Sequence, residues 1–264
     1  MGEAHAKGGE GRARFSDIRH HDEVDSTNRV AVDLARAGAG EGVVVVTDHQ
    51  TAGRGRWGRT WVAPRGSSLL ASVVLRPAAN RPPALTTVAA ALAAAEACSR
   101  AAHVRPTLRW PNDLMVGDRK LGGILAEVLE TGAAMVVGLG VNLRWPDGIP
   151  DELADVAIAL EDVDNAPVDR DRLLAAYLEA LEKRWVALAE PAGRRGVLDE
   201  YRERCDTFGR AVRVRLPAGV AVGGTAVDVE EDGRLMVVSG GATLVLAAGD
   251  VMHLTDSGGD ARSP

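Results

Sequence analysis

The sequence predicts a mixed α/β (α+β) domain over residues 15–204 and a small C-terminal β-barrel over 205–256. Three observations carry this. Helical and strand-like periodicities mix without strict alternation as far as about Arg204. Beyond Cys205, short strand signals crowd together between turn residues. The 264-residue length suits one large domain plus a small one, and 46% hydrophobic residues can supply a core. Residues 1–14 and 257–264 are rich in Gly, Ser, Asp and Arg and read as frayed tails.

A first helix fits Thr27 to Ala37, where Val30, Leu34 and Ala37 share a face and Gly38 can end it. Val43 to Val46 and Ser68 to Leu75 are buried-strand signals, and Thr86 to Ala102 is an alanine-rich helix. Leu108 to Val116 and Leu121 to Leu129 read as strands joined at the Gly117-Asp118 turn, with a further strand at Ala134 to Leu143. Arg170 to Ala189 carries Leu174, Tyr177, Leu178, Leu181, Trp185 and Leu188 at helical spacing, with Pro191 and Gly193 as stops. In the C-terminal part, Val212 to Leu216, Ala226 to Val229, Leu235 to Val238 and Thr243 to Leu246 are short strands. Pro217-Ala218-Gly219, Asp232-Gly233 and Gly240-Gly241 punctuate them.

Composition excludes several classes. A net charge of −6 argues against a general nucleic-acid binder, which needs a broad basic surface. Cys98 and Cys205 stand alone, without the spacing of a disulfide framework or zinc site. There is no apolar run for a signal peptide or a bilayer span, so a cytoplasmic protein with no membrane partner is expected.

The most informative segment is Gln50-Thr51-Ala52-Gly53-Arg54-Gly55-Arg56-Trp57-Gly58-Arg59-Thr60-Trp61. Gly53, Gly55 and Gly58 satisfy G-x-G-x-x-G, but Pro64 and Gly66 stand where a dinucleotide fold needs its helix. A P-loop fails for want of Gly-Lys-Ser/Thr. What remains is a glycine-rich loop whose Arg54, Arg56 and Arg59, with Arg65 beyond, suit phosphate or carboxylate oxygens. Such a loop can close over a phosphorylated ligand; a solvated basic turn is the plainer alternative. Other segments are individually bland. Asp25-Ser26-Thr27-Asn28 is an N-cap pattern, and Lys120 beside a turn reads as a surface charge. Gly138 and Gly140 interrupt a strand, as at a bulge or a close ligand.

Together these segments resemble the biotin protein ligases. The family carries a Ser-Thr-Asn helix start, a Gln-x-x-Gly-Arg-Gly-Arg-x-Gly loop, Trp-Pro-Asn-Asp, Lys-Leu-x-Gly-Ile-Leu-x-Glu and Gly-x-Gly-x-Asn. All five occur here in that order between about residues 22 and 145, and the C-terminal strands look more loosely like the family's SH3-like barrel. The resemblance implies a mixed-sheet catalytic domain, shared with lipoate ligases and related to class II aminoacyl-tRNA synthetases. It implies ATP-dependent activation of biotin to biotinyl-AMP, with magnesium on the phosphates. Transfer to a lysine of a biotin carboxyl carrier protein domain would follow.

The resemblance also places residues. Ser26, Thr27, Asn28 and Gln50 would bind biotin, with Gly53, Gly122 and Gly123 beside it and Arg54, Gly55 and Arg56 covering it. Lys120 would hold the biotin carboxylate and the α-phosphate. Trp61 would pack on adenine, with Arg56, Arg59, Asn112 and Asn142 on ATP. Asp113 would meet the acceptor lysine, as base or only as orienting group. Catalysis would fall to Lys120, Arg54, Arg56 and Asp113. The chemistry wants such cations: two anions at about 4 Å repel by about 4 kcal/mol at an effective dielectric near 20, and a closing loop shields the adenylate from water. Some relatives carry an N-terminal DNA-binding domain. The residues before the first motif are too few for one, so no operator binding is expected. A lipoate or octanoate ligase is the nearest rival; a nonenzymatic binding module is the rival of another class.

Overall fold

In the computed structural model, residues 13–77, 81–129, 132–217 and 219–254 are described; most of both expected tails lies outside them. Arg14, expected within the N-terminal tail, donates its backbone N–H to the Glu182 carboxylate.

The larger layer is a seven-stranded sheet in the order β1-β2-β3-β7-β6-β5-β4. Its strands are β1 (Asp17–His21), β2 (Val43–Thr47), β3 (Ser68–Leu75), β4 (Thr107–Arg109), β5 (Asp113–Val116), β6 (Arg119–Val128) and β7 (Met135–Asn142). β1 runs parallel to β2 and every other pair is antiparallel. Both faces are covered, so alternate residues go to two cores. Val44, Val46, Leu69, Ala71, Val73, Met135 and Val137 join the main core. Val43, Val45, Val74 and Val136 meet Ala31 and Ala35 of α1 (Thr27–Arg36) on the other side.

The main core is built by α2 (Pro83–Ala102), α4 (Arg170–Ala187) and α5 (Pro191–Arg204), with the short α3 (Leu160–Asp164) preceding α4. Ala89 to Ala95 are buried all round, which suits a helix sandwiched between a sheet and further helices. Arg184, 6% exposed, ties the three long helices by donating to Glu96, Glu200 and the Ala180 carbonyl. Burial opposes its charge, yet the bonds to Glu200 and Glu96 raise its pKa.

The C-terminal sheet is antiparallel, in the order β11-β10-β9-β8-β12, consistent with an SH3-like fold. Its strands are β8 (Ala211–Arg215), β9 (Ala221–Val229), β10 (Leu235–Ser239), β11 (Ala242–Leu246) and β12 (Asp250–His253). Val212, Val214, Ala226, Leu235 and Val237 fill its interior and run on into the main core.

Three sequence expectations change. The strand expected over Leu108 to Val116 is two strands, β4 and β5, folded back across a turn at Trp110-Pro111-Asn112; proline cannot donate to a sheet ladder there. Pro191 is not a stop but the first residue of α5, where its missing N–H costs nothing. β1 and β12 were not anticipated: Asp-Ile-Arg-His-His and Asp-Val-Met-His are short and polar.

Candidate functional site

A cleft of about 760 Å³, counting its open mouth, lies where the helix start, the glycine-arginine loop and the middle of the large sheet meet. Its wall takes Ser26, Thr27 and Asn28 from the start of α1, and Gln50, Arg54, Gly55, Arg56, Arg59 and Trp61 from the loop. Asn112, Asp113, Lys120 and Gly123 come from the β5–β6 hairpin, and Asp250 from β12. Four cations thus face two carboxylates in a molecule of net charge −6.

Ser26 occupies the N-cap position of α1 but makes no side-chain capping bond, so its hydroxyl is not spent on the helix. Thr27 donates its backbone N–H to Gln50 Oε1 at 2.8 Å, and the Thr27 hydroxyl lies 3.1 Å from the same oxygen. That leaves the Gln50 Nε2 protons for something else. Behind them, Ser72 Oγ sits 2.8 Å from Thr27 Oγ1 and 2.6 Å from Asn28 Oδ1.

A β-bulge aims Lys120. The register between β5 and β6 slips at Leu114/Met115, leaving Leu121 opposite no residue. Residues three apart on a regular strand face opposite ways, yet a Cβ on Gly123 would lie only 3.5 Å from Lys120 Nζ. The bulge therefore lays the lysine along the face of Gly123, and Gly123 leaves room for it. Lys120 is fixed at its backbone: its N–H donates to the Val156 carbonyl at 2.8 Å and its carbonyl accepts from Ile158 at 3.0 Å. Its ammonium lies 2.6 Å from Asp113 Oδ1 and 5.8 Å from the Trp61 ring centre.

The loop is closed on itself, with Trp61 N–H donating to Gly53 O at 3.0 Å and Gly55 N–H to Arg59 O at 2.6 Å. Its guanidiniums reach three places. Arg56 donates to Asn112 Oδ1 at 3.2 Å and to the Gly249 carbonyl at 3.1 and 3.2 Å. Arg59 pairs with Asp250. Arg54 turns to Glu127 at 3.0 Å. Burial lowers the Arg56 pKa, with Asp113 opposing and Arg59 adding to the fall; the group stays a cation at neutral pH. Arg65 points elsewhere, to Glu23 and the Asp22 carbonyl.

Some expected residues do not line the cleft. Gly53 is needed for close packing, since a Cβ there would lie 2.4 Å from the Trp61 carbonyl. Gly122 likewise faces the Gly140 carbonyl at 2.6 Å. Asn142 is buried and gives its amide to the Ile158 carbonyl at 3.1 Å. Trp61, by contrast, does line the cleft and lies against Gly140, where a Cβ would come within 2.8 Å of the ring. Sequence reasoning missed Leu125 and Asp250, which line the cleft, and Gly249, whose carbonyl takes Arg56; Gly138, read from the sequence as a bulge or a close ligand, lines the cleft as well. Nothing in the C-terminal strands flagged Gly249 or Asp250.

Trp110 joins the two domains at this site. Its backbone N–H donates to Thr207 Oγ1 at 3.0 Å and its indole N–H to the Gly233 carbonyl at 3.1 Å, while Asn112 and Asp113 follow into the cleft.

Comparison with known proteins agrees with this architecture. Residues 22–142 match the Biotin/lipoate A/B protein ligase family and residues 207–254 the Biotin protein ligase C terminal domain. The chain is 38% identical to the biotin--[acetyl-CoA-carboxylase] ligase of Mycobacterium tuberculosis, over 89% of this chain and 90% of the relative. It is 32% identical to the enzyme of that name from Paracoccus denitrificans, over 86% and 96%. A solved biotin protein ligase from Aquifex aeolicus, in complex with biotin and ATP, superposes with a TM-score of 0.79. It covers 91% of this chain and 99% of its own at 24% identity, a likeness of fold.

Proposed function

Because the chain belongs to the biotin protein ligases of the biotin/lipoate A/B family, we propose that this cleft activates biotin with ATP and passes the biotinyl group to a lysine of a carboxylase. One observation carries the placement: Lys120, Arg56 and Arg59 converge on one cavity whose far end displays the polar Ser26, Thr27 and Gln50.

In this reading the ureido ring of biotin lies against Thr27 and Gln50, and its carboxylate replaces Asp113 as the partner of Lys120. The carboxylate oxygen then attacks the α-phosphorus of ATP and pyrophosphate leaves. Lys120 and Arg56 offset the repulsion between the two anions and stabilise the charge that builds on the phosphoryl oxygens. The closed loop holds water from the mixed anhydride. Once Lys120 is taken by the ligand, Asp113 is released from its ion pair. It can orient the carrier's amine or accept its proton as that amine attacks the acyl carbon and AMP departs.

Magnesium enters as the counter-ion of the nucleotide phosphates. Among the described residues no three His, Cys, Asp or Glu side chains gather to hold a metal, and both cleft carboxylates are already paired with cations. The acceptor is read as the biotin carboxyl carrier domain of an acyl-CoA carboxylase, in keeping with the named relatives. Lipoate is not favoured by those relatives, and an exchange assay separates the acids. Pyrophosphate should enter ATP in the presence of biotin and not of lipoate or octanoate; exchange driven by lipoate alone would overturn the reading.

A further inference from the structure

Glu127 ends the Lys120–Glu127 motif and does not line the cleft, yet it joins two parts of the wall. One of its oxygens, Oε2, accepts from Asn28 Nδ2 at 2.8 Å and from Arg54 Nη1 at 3.3 Å. The other, Oε1, takes Arg54 Nη2 at 3.0 Å. Asn28 is only 3% exposed and sits where Gly138 has no side chain; a Cβ there would be 2.1 Å from Asn28 Oδ1. Its amide also donates to the Leu125 carbonyl at 3.2 Å, so its oxygen is directed to Ser72, and through Ser72 to Thr27 and Gln50.

We propose that Glu127 is a positioning residue that fastens the Arg54 end of the glycine-arginine loop to Asn28, behind the polar end of the cleft, and thereby sets how long a ligand under the loop is retained. The inference rests on the biotin reading of the cleft. Acceptor counting supports it. Asn28 and the forked Arg54 guanidinium are donors only toward this carboxylate, and two oxygens serve both. Glutamine keeps one acceptor oxygen but sets an amide donor against Arg54 Nη2, so Glu127→Gln removes the charge and the two-point hold on Arg54. The Arg54 guanidinium thus acts through Glu127, while the backbone of the same segment covers the cleft.

A double-mutant cycle with the full-length chain tests this. Glu127→Gln, Arg54→Gln and the double variant are compared for the biotin KM and kcat of pyrophosphate exchange. Their release rates for a nonhydrolysable biotinyl-adenylate analogue are measured as well. Each single variant should raise the biotin KM and the release rate by about tenfold with kcat changed by less than about threefold, and the double should be no worse than the singles. Unchanged KM and release in Arg54→Gln, an exposed substitution that spares the core, would overturn the proposal, as would additive losses in the double. If the parent chain itself shows no biotin-dependent exchange, the biotin reading falls and takes this inference with it. If the parent exchanges normally and the variants match it, only the role of Glu127 falls.

Discussion

Lys120 owes its place to one slipped residue. Without the bulge at Leu121, its side chain would leave the face it shares with Gly123 and Asp113. In the proposed reaction, removing the ammonium leaves two anions to meet without their nearest cation. Lys120→Ala is therefore expected to cut biotin-dependent pyrophosphate exchange by about 100-fold or more; near-normal exchange would refute its assignment. Asp113→Asn frees Lys120 from its partner but removes the group proposed to meet the acceptor amine. Single-turnover measurements should show transfer falling more than adenylation, and equal losses would count against that role. Much of this was legible in the sequence: Ser26, Thr27, Gln50, Arg56, Asn112 and Lys120 were all expected at the site and line one cleft. Asp250 was not, because it stands 191 residues from Arg59 and is one acid among many in a short polar strand.

The glycine-arginine loop is held at both ends of the cleft, by Glu127 through Arg54 and by Gly249 and Asp250 through Arg56 and Arg59. Arg56, like Arg59, spans the two domains from inside the loop, and it is the more buried of the two, so Arg56→Gly should loosen the cover over the intermediate. Escaped adenylate would then label neighbouring lysines indiscriminately. Biotin confined to the carrier in that variant, judged by peptide mass spectrometry, would show that the loop is no lid. Elements with strong apolar periodicity, such as β3 and α4, were readable to within a few residues. The β4–β5 reversal and the start of α5 were not, since proline at a turn or at a first helical position looks like a breaker from sequence alone.

The two domains share one core and a polar seam. Trp110 crosses it, and so does the cluster of Arg109, Asp206 and His253, with Arg109 3.0 Å from Asp206 and His253 3.8 Å from Asp206. Burial and the nearby Arg109 push the His253 pKa down to about 4, with Arg210 adding to the fall and Asp206 and Asp118 opposing it. The folded protein therefore prefers neutral His253, while the unfolded chain protonates it below its usual pKa near 6.5. The stability contributed is complete above about pH 6.5 and is lost as pH falls toward 4, amounting to about 1–2 kcal/mol between pH 7 and 5. His253→Gln should flatten that acid limb in urea titrations; an unchanged slope would exclude His253 as its source. At this scale the five ordered motifs made the catalytic architecture legible. The seam was not, because Cys205 to Gly209 and β12 carry no periodic signal. The proposed ligase activity is read directly in the intact mass of a biotin carboxyl carrier domain after incubation with the full-length chain, ATP, magnesium and biotin. One biotinyl addition at a single lysine is expected, absent without ATP and strongly reduced with Lys120→Ala; no addition, or addition indifferent to ATP, would contradict it.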